Sequence, residues 1–242
     1  MATDAAALIS GNLQRIREEI LELAGDREVR LICVTKYAAL EHVRLLLAAG
    51  ARELGENLLP DSRERFTQLV SEGFRFVRHL IGPQQSRKLS QIPGSFDCFQ
   101  ALDRMKVARV LNDLLRQHQS ELDVLLQVNI SAEDQKSGFA PKDIERVVKQ
   151  MREDCPQLRI RGLMAIPAGP RTFATEAEFD RETRRSFGQM RVLFDRISAS
   201  HPAAVPFDVL SQGMSQDYRL ALAEGSNMIR IGSALFRGLE GK

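Results

Sequence analysis

Short, nearly continuous apolar runs alternate with amphipathic stretches along most of this chain. The runs are RLICVT, ARELGE, FRFVRHLI, SFDCFQAL, LDVLLQVNI, LRIRGLMAI, PFDVLS and NMIRIGS. Their brevity and near-continuous apolar character suit parallel strands covered on both faces. Between them lie segments of helical period such as LEHVRLLLAAG and DRMKVARVLNDLLRQH. Ahead of the first run, MATDAAALISGNLQRIREEI reads as an amphipathic helix. It has no basic leader and no long apolar core, so it does not read as a signal segment.

Eight strands with seven intervening helical segments predict an α/β fold, a single (β/α)8 TIM-type barrel with an extra N-terminal helix. No Pro/Gly/Ser-rich linker divides the chain, so residues 1–242 are expected to form one domain. The longest irregular piece, IPAGPRTFATE after the sixth run, suits a loop at the barrel mouth. A doubly wound open sheet is the rival architecture. It would want a glycine-rich turn after the first strand, and VTKYAAL has none.

Composition narrows the function classes. The chain has 242 residues and a formal net charge of +2, with no long basic block. Tryptophan is absent and there are two tyrosines, so stacking platforms for single-stranded nucleic acid are scarce. Neither nucleic acid nor a membrane is an expected partner. The three cysteines, Cys33, Cys98 and Cys155, are far apart and form no CxxC or Cys/His metal spacing. Buried reduced thiols and a cytoplasmic location are the expectation.

In barrels of this kind the working residues follow the strands, at their C-terminal ends. Lys36 follows the first run, where a lone lysine could simply extend its ammonium to solvent. Glu56 and Asn57 follow the second run, His79 and Gly82 lie in and after the third, and Asn129 and Lys136 follow the fifth. Met164 closes the sixth. Ser211, Gly213, Met214 and Ser215 fall in LSQGMSQD after the seventh, and Arg230, Gly232 and Ser233 in RIGSALF at the eighth. The last two loops are rich in Ser and Gly at the corner where barrels often hold phosphate. Gly213 and Gly232 would let backbone N–H groups approach an anion. Ser215 is placed to cap the helix starting QDYRLAL, Ser233 to start the turn at ALF, and Arg230 to add a fixed charge. Gly and Ser are also ordinary turn residues. His79 is placed either near a bound cofactor or as filling for the barrel rim.

A lysine across the barrel mouth from a phosphate cradle suggests a Schiff base with a phosphorylated carbonyl compound. Two chemistries fit: a lysine-based sugar-phosphate aldolase, and a pyridoxal 5′-phosphate (PLP) site.

At this point the motifs themselves carry a resemblance. VTKY, GEN, HLIGPQQSRK, QVNISAEDQKSGF, RGLMAIP and LSQGMSQD…ALAEGSNMIRIGSALF, in this order, resemble the pyridoxal phosphate homeostasis protein family, single-domain relatives of the PLP barrel of alanine racemase. The resemblance spans nearly the whole chain. It implies that Lys36 carries PLP as an aldimine and that Asn57 lies beside the ring or its hydroxyl. It implies that Ser211, Ser215, Gly232 and Ser233 occupy phosphate-binding positions, with Met214 between them. Arg230 matches an arginine near phosphate and ring, and Lys136 a lysine at the mouth that influences occupancy. The sequence departs from the family pattern at Gln84, Arg87, Gln212 and Arg237, where the family commonly has leucine, asparagine, methionine and glycine.

A racemase needs a base on each face of the substrate. Tyr37 should point away from Lys36 and Tyr218 should fall inside a helix, so neither supplies one. The one domain expected, ending just after the eighth strand, is not expected to bring a second domain that could supply one either. An arginine at the ring nitrogen would also leave PLP a weak electron sink. The expected function is therefore a PLP carrier in intracellular PLP homeostasis, monomeric, storing the cofactor or delivering it to apo PLP-dependent enzymes. A PLP-dependent racemase or lyase is the alternative.

Overall fold

In the computed structural model, which describes residues 2–131, 137–200 and 206–239, eight parallel strands close into a barrel in sequence order. They are β1 (Arg30–Val34), β2 (Glu53–Glu56), β3 (Val77–Leu80), β4 (Cys98–Leu102), β5 (Leu122–Val128), β6 (Leu158–Ala165), β7 (Val209–Met214) and β8 (Met228–Ile231). Each coincides with one of the eight apolar runs. β4 is buried along its whole length, as a strand between a filled barrel and a helical layer must be. Closure is made by β1 pairing with β8, with Ile32 beside Arg230 and Cys33 beside Ile231.

The helices are α1 (Ala2–Ala24), α2 (Leu40–Ala48), α3 (Asp61–Ser71), α4 (Met105–Gln117), α5 (Ile144–Asp154), α6 (Glu176–Ser200) and α7 (Tyr218–Ala223). One expected helix is missing. Between β3 and β4 the chain forms only a short 3-10 helix, Ser86–Gln91. Pro83 before it and Pro93-Gly94 after it leave no room for a full helical pattern.

The predicted N-terminal helix is present and has a definite seat. Ile9, Leu13, Ile16 and Ile20 recur at helical spacing and are all buried. Burying an aliphatic side chain of this size contributes about 1.5–3 kcal/mol before entropy is counted. Polar contacts fix the register. Asn12 Nδ2 donates to the carbonyls of Leu235 and Arg237, 3.1 and 2.9 Å away. Glu19 accepts from the Tyr218 hydroxyl and from Arg219, joining α1 to α7. Tyr218 thus lies inside a helix, as expected, with its hydroxyl turned to α1.

All three cysteines are free and buried. Burial pushes the Cys33 thiol up to about 12 and raises Cys98 and Cys155 as well. Among the described residues, no cluster of His, Cys, Asp and Glu is suited to a metal ion. No described helix is long and apolar enough to cross a membrane.

Candidate functional site at the barrel mouth

Lys36 sits in the turn that leaves β1, one residue beyond Thr35. That turn is clamped from below. The Thr35 hydroxyl donates to Glu56 Oε1 at 2.7 Å, and the Ala38 N–H donates to the Thr35 carbonyl at 2.9 Å. Arg65 of α3 donates to the carbonyls of both Thr35 and Ala38, at 3.0 and 2.8 Å, and lies 3.6 Å from Glu56. Burial raises the pKa of Glu56, against the opposing pull of Thr35, Arg65 and Lys36. Glu56 is therefore an anchor for the lysine-bearing turn. Lys36 Nζ lies 4.9 Å from the centre of the Tyr37 ring, which is itself on the surface.

Barrel closure changes where Lys36 stands relative to the Ser/Gly loops. Because β1 pairs with β8, Lys36 lies beside the β8 loop and not across the mouth from it. A Cβ placed on Gly232 would be 3.4 Å from Val34 Cβ, an ordinary contact.

The loops after β7 and β8 are bonded to each other. The Gly232 N–H donates to Ser215 Oγ at 3.2 Å. Ser215 does not cap α7: Asp217 occupies the cap position, and its carboxylate accepts the Met214 N–H at 2.6 Å. Met214 is partly exposed and Ser233 exposed, both on the rim. Gly213 has a reason of its own. Its φ is +97°, and a Cβ there would lie 2.6 Å from Ala221 Cβ, so glycine is what lets α7 pack on the end of β7.

Two residues expected among the cofactor contacts lie deeper in the barrel than the sequence suggests. His79 is not at the rim; it is fully buried inside the barrel, hydrogen-bonded to Glu53 and Gln100. Ser211 is also fully buried, within β7, and its hydroxyl is committed to Gln100 at 2.8 Å and to Arg230 at 2.6 Å. Neither side chain has accessible surface.

Arg230 is the unusual group here. It is 3% exposed, and its donors reach only Ser211 Oγ and the carbonyl of Ala165, the latter at 3.1 Å. No described carboxylate forms an ion pair with it. Burial lowers its pKa to about 10, with Asp217 opposing at longer range. A guanidinium has five N–H donors, so this one retains unmet capacity just beneath the mouth.

Asn57 follows β2 and is half-buried. Gln84 Nε2 donates to the Asn57 and Gly82 carbonyls at 2.9 and 2.8 Å, stitching the β2 and β3 loops together. Gly82 is required by this approach, since a Cβ there would fall 2.9 Å from Asn57. Gln84, a departure from the family pattern, thus has a structural task. Asn129 and Met164 end β5 and β6 as expected, and Lys136 lies outside the described residues.

The residues that sequence reasoning missed are Thr35, Glu53, Arg65 and Gln100. Gln100 alone left a visible sign, as a polar residue inside the apolar run SFDCFQAL.

A barrel whose mouth carries a lysine on a clamped turn, beside two joined Ser/Gly loops and a buried arginine, defines a class. Residues 7–240 match the family model described as alanine racemase, N-terminal domain. The chain belongs to that family and, within it, to the pyridoxal phosphate homeostasis proteins: it is 35% identical over 233 residues to the protein so named from Pasteurella multocida, covering 94% of this chain and 96% of that one. It is 34% identical over 236 residues to the pyridoxal phosphate homeostasis protein of Escherichia coli K12, covering 94% and 95%. Among solved structures it is similar to PipY of Synechococcus elongatus with PLP bound, at 28% identity and a TM-score of 0.78, covering 94% of this chain and 99% of that one. Alanine racemase of Corynebacterium glutamicum shares the fold, at 17% identity and a TM-score of 0.69 over 97% of this chain and 62% of that one.

Proposed function

We propose that this chain is a single-domain PLP-binding protein of the cytoplasm that holds the cofactor reversibly and takes part in PLP homeostasis, storing it or passing it to apo PLP-dependent enzymes. The observation that carries the reading is Arg230, a buried guanidinium with spare donors and no ion pair to a described carboxylate, on the strand beside the one that leads into Lys36. An acceptor-rich ligand at the mouth satisfies it. Lys36 is the covalent attachment point for the PLP aldehyde. Asn57 lines the ring side, and Arg230 faces the ring or phosphate. Ser215, Gly232 and Ser233 hold the phosphate, with the Met214 side chain beside them on the rim. Bound there, PLP supplies an electron sink that is weak when an arginine keeps its ring nitrogen unprotonated.

Storage is favoured over turnover because the acids and imidazole near the mouth are already engaged. Glu56 anchors Thr35, Asp217 holds the Met214 N–H, and His79 is sealed in the barrel. None of these is presented as a second base for proton transfer at a substrate carbon. All of the residues assigned to the site come from one chain, which supports a monomer.

The test is a visible spectrum of the protein mixed with PLP, borohydride reduction and peptide mapping, followed by transfer to an apo PLP enzyme. A pyridoxyl label on Lys36 and recovery of the apo-enzyme's activity are expected. Labelling at another lysine sinks the site assignment. Multiple turnover of an amino acid, lost in Lys36→Ala, replaces the carrier reading with an enzyme.

A further inference from the structure

A single line of hydrogen bonds runs through the barrel from its floor to Arg230. Arg30 and Glu53, the first residues of β1 and β2, form a two-point ion pair at 2.9 and 2.6 Å. His79 Nε2 is 2.8 Å from the same carboxylate, and Gln100 Nε2 is 2.9 Å from His79 Nδ1. Ser211 Oγ is 2.8 Å from Gln100 Oε1, and Arg230 Nη1 is 2.6 Å from Ser211 Oγ. His79, Gln100 and Ser211 are all fully buried.

Donor and acceptor sense is forced along this line. The sense is set from the floor: Glu53 can only accept, so a neutral His79 keeps its proton on Nε2 and accepts at Nδ1 from the Gln100 amide N–H. Gln100 Oε1 then takes the Ser211 proton, and Ser211 Oγ accepts from Arg230. Every bond points from Arg230 towards Glu53, and reversing any one would set two donors or two acceptors face to face in a dry interior.

We propose that His79 and Gln100 are positioning residues for the cofactor site: through Ser211 they hold Arg230 in one orientation and keep its remaining donors turned to the mouth. The role rests on the PLP-binding reading above. It assigns no ligand contact to His79, Gln100 or Ser211. It gives the chain a means of fixing the ring side of the site from within the barrel, independently of the phosphate loops.

Three variants and one spectrum test this. His79→Leu removes both the donor and the acceptor and lets Arg230 shift. Its affinity for PLP and for pyridoxal should fall together, by roughly tenfold, the factor that about 1.4 kcal/mol represents, with a changed absorbance of the bound cofactor. His79→Gln offers an N–H and a C=O in the same sense and should restore both. Gln100→Leu, which cuts the line one link nearer to Arg230, should repeat the His79→Leu result. Nitrogen-15 NMR of the ligand-free protein should show His79 neutral, with the proton on Nε2. Wild-type affinity and absorbance in folded His79→Leu and Gln100→Leu would overturn the proposal. So would a loss confined to PLP with pyridoxal unaffected, because that places the line under the phosphate. A proton on Nδ1 overturns it even where a variant does not fold. Failure of the wild-type protein to bind PLP at all removes the cofactor reading itself, a result that the His79 spectrum cannot produce.

Discussion

Arg230 and Ser211 are bonded to each other on neighbouring strands, Nη1 to Oγ at 2.6 Å, with Ser211 handing its own proton on to Gln100. The serine is therefore part of the arginine's mounting. Of the two serines of LSQGMSQD, Ser215 is the one left to face an anion, and it already accepts the Gly232 N–H. The two serines, four residues apart, should separate in their effects.

Ser211→Ala leaves an Arg230 N–H and the Gln100 carbonyl oxygen without their partner inside the barrel. Unmet groups of this kind cost about 1–3 kcal/mol each. The expected outcome is a clear loss of stability in urea unfolding, with the preference for PLP over pyridoxal kept. Ser215→Ala should do the reverse: little loss of stability and a narrower preference for the phosphorylated form. Titration of both variants with both ligands decides it, and a Ser211→Ala protein that loses the phosphate preference contradicts the structural assignment.

Arg230→Ala removes the charge that a bound ligand would complete. Charge-assisted hydrogen bonds are worth about 1.5–3 kcal/mol. PLP affinity should fall by about tenfold for each 1.4 kcal/mol lost. Equilibrium dialysis reads this directly, and an unchanged affinity would mean that the ligand does not reach the guanidinium.

Arg65 is predicted to act on the turn that bears Lys36. Its two bonds to the Thr35 and Ala38 carbonyls, and its proximity to Glu56, hold that turn against α3. Arg65→Leu should keep the barrel intact while hydrogen exchange speeds up in the peptide spanning residues 34–40. Uptake of PLP should weaken with it. Exchange in that peptide at the wild-type rate would show that the turn is held by Glu56 and Thr35 alone.

The elements that sequence made legible are those whose signal is local. Eight apolar runs and the helical periods between them mark the barrel, and Lys36 after the first run marks its mouth. The joined Ser/Gly loops are legible for the same reason. What the sequence hid depends on closure. His79 falls at the end of FRFVRHLI and reads as a rim residue, yet β3 turns it inward to meet Glu53 from β2 and Gln100 from β4. Ser211 reads as a loop serine but lies in β7, because that strand extends to Met214. Lys36 reads as lying across from the phosphate corner when the strands are taken in line, although the closed barrel that the sequence predicts already makes β1 and β8 neighbours. The missing helix after β3 shows the opposite case, in which the local signals Pro83, Pro93 and Gly94 were present and outweighed by the regular alternation around them.

The interior line also makes stability depend on pH in a definite direction. Burial lowers the pKa of His79 from the ordinary 6.5, although its bond to Glu53 pulls the other way. The folded protein thus holds the ring neutral, whereas the unfolded chain protonates it below about 6.5. The unfolded state binds the extra proton, so this part of the stability is present above pH 6.5 and is lost as pH falls towards the folded value. Glu53 acts lower on the scale. Burial would raise it, but the bonds from His79 and Arg30 outweigh burial and hold it at about 2. Its share is present above the ordinary 4.5 and is lost only as pH falls from there towards 2. Between pH 7 and 5 the His79 effect therefore stands alone on this line. His79→Gln keeps the hydrogen-bonding sense and removes the titration. Urea midpoints for wild type and His79→Gln should run parallel from pH 8 to 7. They should diverge below 6.5, with the wild type losing stability faster. If the two remain parallel down to pH 5, His79 is not held neutral by the fold, and the direction assigned to the Gln100–His79–Glu53 line is wrong.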